Sequence, residues 1–144
     1  ALLLKIRDKV SETHDAINQM AHVRQQVEGW VQRTKGQPSE AAIAEAAQGV
    51  LGTLNAIEQE LIERRIQAPG DTLHYPARLN AKLSALSSVV ASAETAPTRQ
   101  SYAVLEDLSG RIDQQLSRWR ALLSSDVATF NQLLRSAEVP GVVA

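Results

Sequence analysis

The sequence predicts an all-α protein, an elongated antiparallel up-down bundle of four helices with a short third. Three observations lead there. Apolar residues recur at three- and four-residue intervals in four separate stretches, the period of a helix with one buried face. Nothing alternates with period two over more than a few residues, so no sheet is expected. Breaks of roughly four to ten residues carrying proline or glycine separate the stretches, and connections that short favour antiparallel neighbours. One domain over residues 1–144 is expected, with helices at about 2–35, 39–67, 76–93 and 98–138.

In the first helix Leu3, Ile6, Val10, Thr13, Ile17, Met20, Val27 and Val31 form the stripe. Arg24 takes the slot the pattern misses, with Val23 beside it supplying the apolar role, and Trp30 widens the stripe near its end. Gly36 and Pro38 stop the helix. Ser39 is placed to cap the second, whose stripe is Ile43, Ala47, Val50, Leu54, Ile57 and Leu61. Gly49 and Gly52 inside it each cost up to ~1 kcal/mol against alanine, which close approach of a neighbouring helix would explain. Pro69 and Gly70 end it.

Leu79, Leu83, Leu86 and Val90 mark the third helix, with small residues between them. After "ETAPT", Thr98 or Pro97 opens the fourth. Its stripe runs Leu105, Leu108, Ile112, Leu116, Trp119, Leu123, Val127, Phe130 and Leu134. Gly110 interrupts the pattern without ending it; Pro140 and Gly141 close the helix and leave "VPGVVA" as a tail. At 1.5 Å per residue the first helix would span about 50 Å and the fourth about 60 Å.

Composition narrows the function. Only five of 144 residues are aromatic, and alanine with the aliphatics supplies most of the 44% apolar share. Fifteen basic and sixteen acidic side chains leave a net charge of −1, so no strong field favours nucleic acid or an anionic surface. There is no cysteine, hence no disulfide or thiolate chemistry. No apolar run approaches the ~20 residues of a membrane span, and "ALLLKI" meets charged "RDK" at once. The chain opens at Ala1 already reading as helix, which suggests a piece excised from a longer chain, though processing would also explain it.

Candidate chemistry is thin. His14 and His22 lie about 12 Å apart along one helix and lack ligands at three- or four-residue offsets, so no metal or other cofactor is expected. Asp8 and Asp15 near them read as a solvated face. The carboxylates Glu58, Glu60 and Glu63, and Glu106 with Asp107, neighbour one another on single helices rather than across a cleft. They read as charged outer faces, with Glu60 and Arg64 an ordinary i,i+4 pair. No glycine-rich phosphate loop or serine elbow occurs. Ser124 and Ser125 fall in mid-helix, and Trp30 and Trp119 could stack on a sugar but fit core or stripe-edge positions better. "DTLHYPARLN" is the least repetitive stretch. Tyr75 precedes Pro76, which suits a first helical turn, Leu73 or Tyr75 packs down, and Asn80 lies beside the stripe.

"LKIRDKVSETHDAINQM", "LHYPARLNAKLSALSSVV" and "TRQSYAVLEDLSGRIDQQL", in that order, resemble a recurring helical region. It is similar to the C-terminal part of large bacterial β-propeller proteins, labelled sialidase-like or BNR-repeat glycosyl hydrolases and related to the sortilin-type propeller. The likeness spans nearly the whole chain, and "IRDKV" and "YPARLNAKL" are its most specific pieces. That family has asparagine before the Tyr-Pro pair where this chain has His74, which weakens any special role for the position. The resemblance implies that a substrate site would belong to the propeller, so no catalytic residue carries over. It also implies a periplasmic or extracellular setting.

The function expected is a non-catalytic accessory domain serving intramolecular packing or protein interaction. Its partners would be the propeller of the same parent chain, another protein or a second copy, and neither nucleic acid nor the membrane interior. Tyr75, Pro76 and Asn80 are its candidate interaction or structural signature, with the Ala42 and Ala46 face a second candidate surface. The alternative is a ligand-binding helical module of an extracytoplasmic sensor, with a pocket drawing on Arg24, Asn80 or Trp119. An enzyme ranks third.

Overall fold

The computed structural model describes residues 2–62, 78–92 and 98–143, with side chains to Ala137 in the last of these. They form α1 (Leu2–Arg33), α2 (Glu40–Leu61), α3 (Leu79–Ser92) and α4 (Arg99–Leu122). A π turn over Leu123–Val127 then leads into α5 (Ala128–Val143). α4, the π turn and α5 wind as one long helix, so the molecule is an all-α bundle of four helices with the third shortest. No strand occurs among the described residues.

The turns obey local rules. Gly36 closes α1 at φ +82°, where an L side chain would be strained. Thr34 is buried there and its hydroxyl donates to the Trp30 carbonyl at 2.9 Å, pairing a last-turn acceptor. Ser39 takes the cap position of α2 but makes no side-chain cap bond; the Glu40 carboxylate instead accepts from the Gly36 N–H at 3.0 Å. Thr98 caps α4, its hydroxyl accepting from the Ser101 N–H at 3.2 Å.

Paired contacts fix the directions. Along α1, Lys9 meets Asp113 at 2.8 Å, Gln19 meets Trp119 at 3.3 Å, and Val27 shares a cluster with Phe130. α1 and α4–α5 therefore run the same way. Arg24 reaches Glu58 at 2.9 Å while Val27 packs with Ile43, Ala47 and Val50, so α2 runs against α1. α3 opens in a groove shared with Glu60 and with Arg111 and Gln115 of α4. The short stretch from Ser92 to Arg99 covers at most ~3.5 Å per residue, which obliges α3 to run back toward the start of α4. α2 and α3 thus follow one another along the trough between α1 and α4–α5, meeting only at their junction. The antiparallel pairs are α1/α2 and α3/α4.

The core divides accordingly. The larger cluster joins Ile6, Ile17 and Met20 of α1 to Leu83 of α3 and Ile112 and Leu116 of α4, and takes in Leu54, Ile57 and Leu61 where α2 ends. The smaller joins Val27, Ile43, Val50, Phe130 and Leu134. Val23 and Val127 touch both.

Four expectations need correction. Leu122 is buried and Leu123 is 36% exposed, the reverse of the predicted stripe. Leu122 and Phe130 would lie about 80° apart on a plain α-helix, and the extra residue of the π turn brings them onto one face. The fourth helix does not end near Glu138, since α5 winds through Pro140 and Gly141 to Val143; one missing N–H near a terminus, where carbonyls go unpaired anyway, does not stop it. Gly49 and Gly52 have nothing within 4 Å of where a Cβ would stand, so close helix approach does not explain them. Glu58 is buried rather than on an outer face. The predicted helix ends 63–67 and 76–77 lie outside the described residues.

Candidate functional site

Among the described residues, the polar side chains that the sequence marked for chemistry do not converge. Arg24 lies at the α1–α2 contact, where its guanidinium donates to Glu58 Oε2 at 2.9 Å and to the Asn55 side-chain oxygen. Glu58 is only 4% exposed, because α2 turns it inward between Leu54 and Leu61. Trp119 is buried on the α4 side of α1 and donates its indole N–H to Gln19 at 3.3 Å. Trp30 carries the Arg33 guanidinium over its ring at 4.9 Å. Asn80, in the first turn of α3, has its Oδ1 buried without a hydrogen-bond partner among the described residues. Arg24, Trp119 and Asn80 line none of the three grooves described next.

Tyr75, Pro76, His74, Leu73 and Arg64 lie outside the described residues. His14 and His22 are exposed, and no group of three potential metal ligands forms among the described residues. Glu106 and Asp107 are exposed, with Asp107 pairing Arg111 one turn on at 3.3 Å. Ser124 and Ser125 belong to the π turn, where both hydroxyls donate to the Ala121 carbonyl, at 3.2 and 2.7 Å. They occupy a backbone acceptor that the widened turn leaves open.

A groove of about 520 Å³ between α1 and α4 holds Lys5, Asp8, Lys9, Glu12, Tyr102 and Glu106. Its charges answer one another: the Lys9 ammonium donates to Glu12 at 2.9 Å and Asp113 at 2.8 Å. Burial alone would lower the Lys9 pKa, but those bonds and the two carboxylate charges outweigh it and raise the pKa. A second groove, about 600 Å³, is mostly apolar, with Pro38, Ala42, Ile43, Leu133 and Ala137 between the start of α2 and α5. A third, about 320 Å³, lies between α3 and α4 and holds Lys82 and Arg111 with Gln114 and Gln115.

Two features escaped the sequence reading. Glu58 lies four residues after Leu54 and three before Leu61, a spacing that could have signalled an inward carboxylate. Lys9 and Asp113 are 104 positions apart, and nothing local announces their meeting. No family model, no curated protein and no solved structure matches this chain. No helix among the described residues is long and apolar enough to cross a membrane.

Proposed function

We propose that this bundle is a non-catalytic accessory domain of a larger sortilin-like, BNR-repeat propeller protein, working outside the cytoplasm. Its role is to pack against the propeller of its own parent chain or to recruit a protein partner. The resemblance of "IRDKV" and "YPARLNAKL" motivates the parent. One observation supports the role: Arg24, Glu58, Gln19 and Trp119 are all spent on holding helices together. Meanwhile apolar side chains stay uncovered in the half built by α3, with Leu4 and Val89 60% exposed and Tyr102 46%. Uncovered apolar surface of this kind suits a contact with another domain.

The test is association of the bundle with the separately expressed propeller of a parent chain, followed by calorimetry. Measurable binding that weakens at least tenfold on Leu4→Asp or Val89→Asp supports the reading. No binding at any accessible concentration would end it. Release of sugar from fluorogenic glycosides by the isolated bundle, above the buffer blank, would point to an enzyme instead.

A further inference from the structure

The two core clusters meet at one level of the bundle, and three helices cross it. α1 crosses at Val23, which packs on both clusters. The long helix crosses at Val127, which also packs on both and is the last residue of the π turn. α2 crosses between Leu51, packed on the smaller cluster, and Leu54, buried in the larger. Gly52 lies between those two, with Gly49 one turn before it. At this level α1 is therefore an ordinary helix, while α2 carries two glycines and the long helix a π turn. Both are weak points, since glycine is a poor helix former and helices bend at π turns.

The end of the bundle beyond that level is lightly held. Among the described residues, six are buried in the smaller cluster against seventeen in the larger. The groove lined by Ala42, Ile43, Leu133 and Ala137 leaves the start of α2 and α5 incompletely packed on each other. Ser39 stands at the N-cap of α2 without a side-chain cap bond. The Arg24 bonds to Asn55 and Glu58 fall past Gly52, so they tie the second half of α2 to α1 and not the first.

We infer that the first half of α2 and α5 open from α1 as one unit, bending at Gly49–Gly52 and at the π turn, while the α3 half stays folded. Few buried contacts and weak points at both boundaries are what a locally opening unit requires. Opening uncovers Ile43, Phe130 and Leu134 together, all buried in the closed bundle. This device is independent of the packing role proposed above, whose exposed Leu4, Val89 and Tyr102 belong to the other half.

The test is native-state hydrogen exchange of the full chain, read from 1H–15N spectra in urea below the unfolding transition. Residues 45–50 of α2 and 132–137 of α5 should share one opening reaction with one urea dependence. They should exchange at least about a hundredfold faster than residues 108–116 of α4, which open only with the whole molecule. The step from slow to fast exchange should fall between Leu122 and Ala128 in the long helix, and between Leu54 and Val50 in α2. Gly49→Ala should slow both segments roughly fivefold, because that position is helical only in the closed form. Ile112→Val should speed residues 108–116 by a similar factor and leave both segments unchanged, since Ile112 stays buried in the open form. Protection that fades gradually from the helix ends, different urea dependences for the two segments, or equal acceleration of both by Ile112→Val would overturn the inference.

Discussion

Where α2 faces α1, the interface holds an ion pair largely out of water: Arg24 and Glu58, with side chains 18% and 5% exposed. Where α1 faces α4 in the half that holds α3, the ionic contacts lie at the rim, and Lys9 bonds Glu12 and Asp113, whose side chains are 43% and 56% exposed. The same chemical pairing has different consequences in the two halves. Removing one member of a buried pair leaves a charge in poor solvent, whereas an exposed pair hands its members back to water. The α2 half therefore depends more on its ion pair than the α3 half does on Lys9. The α3 half relies on aliphatic packing around Leu83 and Ile112.

Breaking the comparison at its strongest point gives the largest effect. Arg24→Met takes the guanidinium from Glu58, which keeps a further interaction of its own, and should cost about 1–3 kcal/mol in denaturant unfolding. Adding Glu58→Leu should recover part of that, since two apolar side chains can replace a buried pair. Equal losses in the single and double variants would show that the pair is not coupled. Next in size, Gly49→Ala and Gly52→Ala should each stabilise by up to about 1 kcal/mol, because a Cβ meets nothing there. A fall in melting temperature for either would reveal a contact on the outer face of α2.

Lys9→Met should have the smallest effect, below about 1 kcal/mol, and it should shrink in molar salt. Its pKa is raised in the folded chain, so its contribution is complete below the unfolded lysine value and disappears as pH rises through the folded one. Wild type and Lys9→Met should therefore converge in stability in strongly alkaline buffer. Divergence there would mean that the raised pKa comes from another source.

The helices were legible because buried aliphatics such as Leu83, Leu86, Leu105 and Ile112 fall on a 3.6-residue period that needs no partner to be recognised. The Leu122–Leu123 exchange was not legible. A π turn moves the stripe by one residue, and periodicity alone reads both leucines as acceptable. The two glycines mislead because their cost to the helix looks like a sign of close packing, whereas a solvent-facing glycine carries the same cost. The candidate ligands for a pocket, Arg24, Asn80 and Trp119, were visible as residue types. Their separation onto different interfaces depends on which helices meet, and the spacing within any one helix does not contain that.

That arrangement is the central claim: α2 and α3 share one trough, end to end, between α1 and α4–α5. The chain has no cysteine, so Gln48→Cys and Ser88→Cys place spin labels at two exposed sites without interference. End-to-end helices put the labels roughly 35–45 Å apart, from ~1.5 Å of rise per residue on either side of the junction. A single electron–electron distance distribution centred in that range is the expected result. A distribution centred below about 25 Å, as for helices packed side by side at ~10 Å between axes, would contradict the account.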